Sequence, residues 1–326
     1  MQIIELHDEV RMAWIPRAST ADARRGRDVV IELRMDHALV PTDETNLARQ
    51  AAELMTERFN VGLWARKGTL RIDIQKKIPV GAGLGGGSAD GAAVLLGLAA
   101  LWKLDAKLST LCDLGAALGA DVPFCVMGQA RADTAQQNAQ GGRMPASPCA
   151  LATGIGTKLK PIPGLACWLV LSKPPIAVST AEIYRRFDEA AELYRGANKG
   201  AAIYREADKG AEIYRRFGAG AKSGLGRCPD TDTLVGALAG RNFTAISANM
   251  VNMLEQHAQK VYPAIAYTKS KIEATRPAGA SMSGSGPTVF AVYESEAQAR
   301  AAFEKMRRIN KETFLTRTML YEAEKR

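Results

Sequence analysis

Hydrophobic and polar residues alternate over 69–74, with Leu70, Ile72 and Ile74 on one face, and this period of two predicts a half-buried strand. Residues 1–6 and 29–33 carry the β-branched content of further strands, and 168–172 reads as a fully buried one. The period turns helical after Thr42, Asp43, Glu44 and Thr45, which offer N-cap chemistry to a segment with Leu47, Ala51, Leu54 and Met55 on one face. A second helix is predicted over 89–104, with Val94, Leu95, Leu98 and Leu101 as its apolar side. Ser109 is placed to cap a third over 110–118, which stops at Gly119. Helical pattern returns over 230–238, 242–253, 264–275 and 297–307, and 279–286 is a glycine-rich turn entering a strand at 288–293. The polar, Gln-, Ala- and Gly-rich stretch 129–147 predicts a long exposed loop.

Residues 181–220 repeat a ten-residue unit four times, with Tyr184, Tyr194, Tyr204 and Tyr214 at the same place in each copy. Ten residues fall short of three helical turns, so one continuous helix would rotate each tyrosine by roughly 80° from the last. Glycines at 196, 200, 210, 218 and 220 weaken such a helix further. Units this short bury no shared core, which predicts a tandem duplication inserted on the surface. A basic, tyrosine-bearing arm for nucleic acid is the lesser alternative.

Length and composition narrow the class. The 326 residues suit two modest domains or one large one, and 47% hydrophobic with 24% charged residues is ordinary for a globular core. Forty-three basic against 34 acidic residues leave a net charge of +9, which fits a nucleotide or nucleic acid as ligand without separating them. Five scattered cysteines form no C-x-x-C pair, and His7, His37 and His257 have no metal-ligand spacing, so reduced thiols and no protein-built metal site are expected. The first residues lack the basic and apolar regions of a signal peptide, and the longest apolar stretch, 92–102, is about half a membrane span. A soluble, cytoplasmic protein with no membrane partner is expected.

The strongest chemical signal is Lys77-Ile78-Pro79-Val80-Gly81-Ala82-Gly83-Leu84-Gly85-Gly86-Gly87-Ser88-Ala89-Asp90. Five glycines in seven residues let the backbone approach a phosphate chain, and the following helix adds the positive end of its dipole. Ser88, at the helix start, offers a hydroxyl to a phosphate oxygen or a magnesium ion. A plain flexible turn is the bland alternative. Gly81, Gly83 and Gly86 also satisfy the dinucleotide pattern, but Pro79 interrupts the strand and no acidic residue follows at the required distance. No Lys-Ser or Lys-Thr follows the glycines, so this is not a Walker A loop.

Ile78-Pro79 with the glycine run resembles the phosphate loop of the GHMP kinase superfamily. Leu118-Gly119-Ala120-Asp121-Val122-Pro123-Phe124 resembles a hallmark of its cytidylyl-methylerythritol branch, and Gly279-Ala280-Ser281-Met282-Ser283-Gly284-Ser285-Gly286 looks like the superfamily's third motif. Trp168-Leu169-Val170 and Ser179-Thr180-Ala181-Glu182-Ile183-Tyr184 also fit, so the resemblance spans roughly residues 1–184 and 228–300. It implies an α+β, two-domain GHMP kinase fold: an N-terminal ATP-binding domain over 1–160 with a mixed sheet, and a C-terminal α/β sandwich over 161–326 carrying the repeats as an insertion at about 185–220.

The same resemblance implies transfer of the ATP γ-phosphoryl group, with Mg2+, to a hydroxyl of 4-diphosphocytidyl-2-C-methyl-D-erythritol in the non-mevalonate route to isoprenoids. It assigns Asp121 as the catalytic carboxylate. Gly81, Gly83, Leu84, Gly85, Gly86, Gly87 and Ser88 hold phosphate, and Ser283, Gly284, Ser285 and Gly286 frame the site. Tyr184 stacks on cytosine and Thr180 sits near the substrate. Residues on their own would allow Asp121 to be no more than a helix-end turn residue. The family opens with Pro-Ala-Lys-x-Asn and then a Gly-Tyr-His turn. This sequence contains neither, and residues 1–6 align with the strand that follows both. A truncated chain or a displaced start, lacking a first strand and a cation beside Asp121, is the expectation. A catalytically impaired nucleotide-binding relative is therefore the second reading, and a basic nucleic-acid-associated protein the third.

Overall fold

The computed structural model describes residues 1–16, 29–61, 68–130, 145–197 and 230–320. Two compact units result: Met1–Val80 with Gly85–Pro161, and Gly81–Leu84 with Ile162–Arg326.

The N-terminal unit runs β1 (Glu9–Pro16), β2 (Val29–Met35), α1 (Leu47–Arg58), β3 (Gly68–Gln75), α2 (Gly86–Leu101), α3 (Leu108–Leu118), α4 (Val122–Gln129), β4 (Ala150–Thr153) and β5 (Lys158–Pro161). Its mixed sheet has β3 in the centre, antiparallel to β1 and parallel to β2, while β4 and β5 form a separate antiparallel pair. The alternation read at 69–74 is observed: Leu70, Ile72 and Ile74 are buried in one core with Val94, Leu95 and Leu98 of α2 and Met55 of α1. Helix α1 buries Ala48, Ala51, Ala52 and Met55, leaving Leu47 and Leu54 half-buried, because small side chains are what its close approach to α2 admits. Its cap is Asn46, whose side chain accepts from the Ala48 N–H at 2.9 Å, whereas Asp43 takes the Thr45 N–H.

Several expectations are corrected. Residues 1–6 form no strand: Gln2 makes an isolated bridge with Cys149, and the strand is Glu9–Pro16, whose Val10, Met12 and Trp14 pack on the core. Leu101 is 39% exposed, since α2 ends there and the next residue, Trp102, turns in against Trp14 edge-on at 6.2 Å. Helix α3 starts at Leu108, which is buried, so packing rather than a Ser109 cap sets its beginning. Gln129 closes α4, and the Ser147 hydroxyl is buried, donating to the Cys149 carbonyl at 2.7 Å; residues 131–144 of the expected loop lie outside the described residues.

The C-terminal unit runs β6 (Trp168–Lys173), α5 (Thr180–Ala197), α6 (Thr231–Ala239), α7 (Phe243–Asn249), α8 (Glu255–Val261), α9 (Pro263–Glu273), β7 (Gly279–Met282), β8 (Val289–Tyr293), α10 (Glu296–Met306) and β9 (Glu312–Arg317). Its sheet is antiparallel in the order β7-β8-β6-β9. Ile265 and Ile272 of α9 and Ala299 and Met306 of α10 meet Val170, Val289, Ala291 and Tyr293 of the sheet in one core. Residues 279–282, expected in a turn, are strand, and the turn proper begins at Ser283. The helix expected over 242–253 stops at Asn249, and 255–261 forms one that was not anticipated. Helix α5 covers the first repeat and most of the second, supported by Arg185 pairing with Glu182 and Glu189 one turn either way. The rest of the repeats lies outside the described residues. A mixed sheet with helices in one unit and an antiparallel sheet with helices in the other give the α+β class that the sequence leads one to expect. No described helix is long and apolar enough to cross a membrane.

Candidate active site

In the N-terminal unit the chain leaves β3 through buried Ile78 and re-enters at α2. The helix cap is Gly85, in the left-handed conformation at φ +70°, and it supplies no side-chain hydrogen bond. The first turn of α2 has no acidic residue either. The N–H groups of Gly86, Gly87 and Ser88 therefore point off a helix start with no side chain to take them, which is the geometry that binds anions. Among the described residues, chain neighbours aside, nothing lies within 4 Å of where a Cβ on Gly85 would sit, so the cap itself is not packed over. The Ser88 hydroxyl has no hydrogen-bond partner among the described residues.

Asp121 stands at the start of α4. Its backbone is already helical, at φ −87° and ψ −16°, and its side chain makes no capping bond. Asp121 is exposed, so its carboxylate is open to solvent. Helix α4 is tied to the first turn of α2 by the Gln129 side-chain N–H donating to the Ala89 carbonyl at 3.1 Å. Cys125 lies between the two helix starts: burial first, then the Asp121 and Asp90 carboxylates, push its thiol up to about 12. It is an inert thiol. Cys112, Cys149 and Cys167 are also buried and form no disulfide among the described residues.

Beneath the helix start is a buried charge cluster that the motifs did not announce. The Lys76 ammonium donates to Asp8 Oδ2 at 2.5 Å and to Asp90 Oδ2 at 2.7 Å, with side-chain exposures of 5% for Lys76, 2% for Asp8 and 5% for Asp90. Asp8 Oδ1 accepts the backbone N–H groups of Lys77 and Ile78, while Asp90 Oδ1 is buried with no partner among the described residues. Burial pushes the Asp90 carboxyl up to about 7, against the pull of Lys76 and with the help of the Asp8 charge. Two sequence periods hold the missed signal. Residue 76 continues the inward register of 70, 72 and 74, and Asp90 lies one and two turns before Val94 and Leu98 on the buried side of α2.

In the C-terminal unit, Gly81–Leu84 packs with the turn between β7 and β8. The Ser283 hydroxyl donates to the Gly83 carbonyl at 2.8 Å, and a Cβ on Gly83 would stand 2.4 Å from the Ser283 carbonyl oxygen and 2.7 Å from that of Gly286. Gly83 is thus required by close packing as well as by its φ of +70°. The turn is held by Ser283 N–H to Thr288 O at 2.9 Å and by Asn252, whose Nδ2 donates to the Met282 and Gly284 carbonyls at 2.8 Å each. Asn252 was not singled out by any motif. Thr180 and Ser285 hydroxyls share a hydrogen bond of 2.8 Å, so two residues assigned by resemblance do meet. Tyr184 follows one turn later on α5 and is 51% exposed. Among the described residues no group of three His, Cys, Asp or Glu is arranged to hold a metal ion.

Comparison with known proteins agrees with the motifs. Residues 46–129 match the GHMP kinases N terminal domain, and residues 234–312 the GHMP kinases C terminal domain. A 4-diphosphocytidyl-2-C-methyl-D-erythritol kinase of Alkaliphilus metalliredigens is 34% identical over 98% of this chain and 86% of its own length. One of Exiguobacterium sibiricum is 36% identical over 88% of this chain and 82% of its own length. The crystal structure of a 4-(cytidine 5'-diphospho)-2C-methyl-D-erythritol kinase superposes with a TM-score of 0.63 at 25% identity, covering 97% of this chain and 87% of that one.

Proposed function

Because this chain belongs to the GHMP kinase family, in the branch of the 4-diphosphocytidyl-2-C-methyl-D-erythritol kinases, we propose that it transfers the γ-phosphoryl group of ATP to a hydroxyl of 4-diphosphocytidyl-2-C-methyl-D-erythritol. The observation that carries this reading is the uncapped start of α2, a row of N–H donors with no acidic residue beside it. Phosphoryl transfer asks the protein for positioning and charge stabilisation more than for covalent help. Gly85, Gly86, Gly87 and Ser88 hold the phosphates through backbone N–H groups and the helix dipole. Gly81, Gly83 and Leu84 shape the approach of the loop, with Ser283, Gly284, Ser285 and Gly286 as its second glycine-rich wall.

Asp121 accepts the proton of the substrate hydroxyl, whose oxygen attacks the γ-phosphorus as the bond to ADP breaks. Its exposed, uncommitted carboxylate supports this role. Tyr184 stacks on the cytosine ring and Thr180 orients the substrate through its hydroxyl. Mg2+ bound with ATP takes most of its oxygen ligands from phosphates and water, and Ser88, with a hydroxyl uncommitted among the described residues, fits the small remaining share. Such an ion neutralises charge on the phosphate oxygens. We read 1–160 as the ATP-binding domain and 161–326 as the C-terminal domain with the repeat insertion at about 185–220, and place the protein in the cytoplasm.

The test is a coupled ADP-release assay with the cytidylyl substrate added and omitted. Substrate-dependent release supports the reading. ATP binding with no release would instead identify a nucleotide-binding relative, and salt-sensitive RNA binding lost on deleting 185–220 would favour a nucleic-acid role.

A further inference from the structure

The Asp8, Lys76 and Asp90 cluster is an expensive way to hold a fold together. Two carboxylates surround one ammonium in a buried place, and one carboxylate oxygen is left with no partner among the described residues. Well-packed apolar residues at three inward positions would stabilise the unit at least as well, so the cluster calls for a reason beyond stability.

Its connections supply one. Asp8 fixes the chain leaving β3, through the N–H groups of Lys77 and Ile78. Asp90 belongs to α2, five residues beyond the Gly85 cap. Lys76 holds both, and its Nζ lies 3.3 Å from where a Cβ on Gly86 would be, directly under the first residue of the helix. A single ammonium therefore joins the exit of β3 to the first turn of α2, the two places between which the glycine run is strung. Gly86 has no side chain of its own to anchor it, and its neighbours Gly85 and Gly87 have none either, so the helix start is located from below.

We propose that Lys76 is a positioning residue for nucleotide binding: its ammonium clasps the end of β3 to the start of α2 and keeps the N–H groups of residues 86–88 aimed at phosphate. This rests on the phosphate-binding reading of that helix start.

The test compares the unaltered chain with Lys76→Met and with the triple variant Asp8→Asn, Lys76→Met and Asp90→Asn. Lys76→Met alone leaves two unpaired buried carboxylates and is expected to be poorly folded. The triple variant keeps the shapes and the acceptors for Lys77 and Ile78, removes every charge, and is expected to melt close to the unaltered chain. Three quantities are read on it: amide hydrogen exchange at residues 85–88 without ligand, the Kd for ATP, and the KM for the cytidylyl substrate. Faster exchange at those amides and an ATP Kd raised by about tenfold, with the other KM changed less than about twofold, are expected from losing a supporting contact. A folded triple variant with unchanged exchange, or with unchanged ATP affinity, overturns the proposal. So does equal weakening for both substrates, which would mark a general structural role. Faster exchange in the variant of a chain that binds no ATP at all would support the clasp and overturn the phosphate-binding reading.

Discussion

Gly83→Ala and Gly85→Ala place the same methyl group on the same backbone conformation, φ +70° in both. Their surroundings differ. Among the described residues, chain neighbours aside, nothing lies within 4 Å of the carbon added at Gly85, whereas at Gly83 two backbone oxygens lie at 2.4 Å and 2.7 Å. The left-handed conformation costs an alanine about 1–2 kcal/mol in either place. At Gly83 the obstructing atoms are the carbonyls of Ser283 and Gly286, in a turn already tied down by Asn252 and by the bond from Ser283 N–H to Thr288, so they cannot swing aside like a long side chain. Displacing them adds about 1–3 kcal/mol, as overpacking elsewhere does. Gly83→Ala should therefore destabilise by about 2–5 kcal/mol and Gly85→Ala by about 1–2 kcal/mol. Urea unfolding followed by intrinsic fluorescence measures this, with Trp168 on β6 reporting the C-terminal unit. ATP titration of the two folded variants completes the comparison, because Gly85 is the cap of the proposed phosphate-binding helix start and a methyl there should weaken binding. Equal stability losses would refute the claim that Gly83 is seated on the 283–286 turn.

Three further outcomes follow from the site and its supports. Asp121→Asn should lower kcat by about 10²–10⁴-fold while leaving the melting temperature and ATP affinity near those of the parent, because the carboxylate caps no helix; steady-state kinetics beside calorimetry checks both. Tyr184→Ala should cost about 1–3 kcal/mol of cytidylyl-substrate binding, read as a raised KM, and Tyr184→Phe should keep most of it, since the ring face does the stacking. His257 is held below its ordinary pKa of 6.5 by burial and then by Lys260. The unfolded chain thus binds the proton more tightly, so this residue's share of stability is intact above that value and is lost as pH falls through it. Melting temperatures measured across that range should fall toward acid, and less steeply in His257→Gln; an identical slope would remove His257 as the cause.

Most of the fold could be read where one period ran without interruption. Strand β3 is the clearest case, because buried Leu70, Ile72 and Ile74 alternate with half-buried Thr69, Arg71 and Asp73. The apolar letters of residues 1–6 misled, since Ile3 packs against Gly128 rather than in a ladder, and the real alternation of Val10, Met12 and Trp14 came just after. Strand β9 was invisible for a different reason. Its buried positions are Thr313 and Thr316, and Thr313 joins a polar network in which Asn310 Nδ2 donates to the Ser172 and Thr268 hydroxyls at 3.0 Å and 3.1 Å. A strand that turns threonine inward has no apolar period to read. Helix α8 is hidden likewise, with Glu255 and His257 among its buried residues.

The site divides the same way. The glycine run and Asp121 were legible because the proposed phosphate chemistry would constrain the local backbone, and such constraints leave short contiguous motifs. Asn252 left none: what it holds is set by the carbonyls of Met282 and Gly284, thirty and 32 residues later, and an asparagine in a loop carries no period. Lys76 and Asp90 lie between these cases. Each occupies an inward position of an otherwise apolar repeat, one of period two and one of the helical period, and each is a charge where the period asks for a hydrocarbon. Burying one such charge alone is prohibitive, so a charged residue on the inward register of a strand requires an opposite charge on the inward stripe of a neighbouring element. Here the strand and the helix flank the same glycine run, and the only acidic residue in the first two turns of that helix is Asp90. The two periods together therefore specify the ion pair beneath the loop.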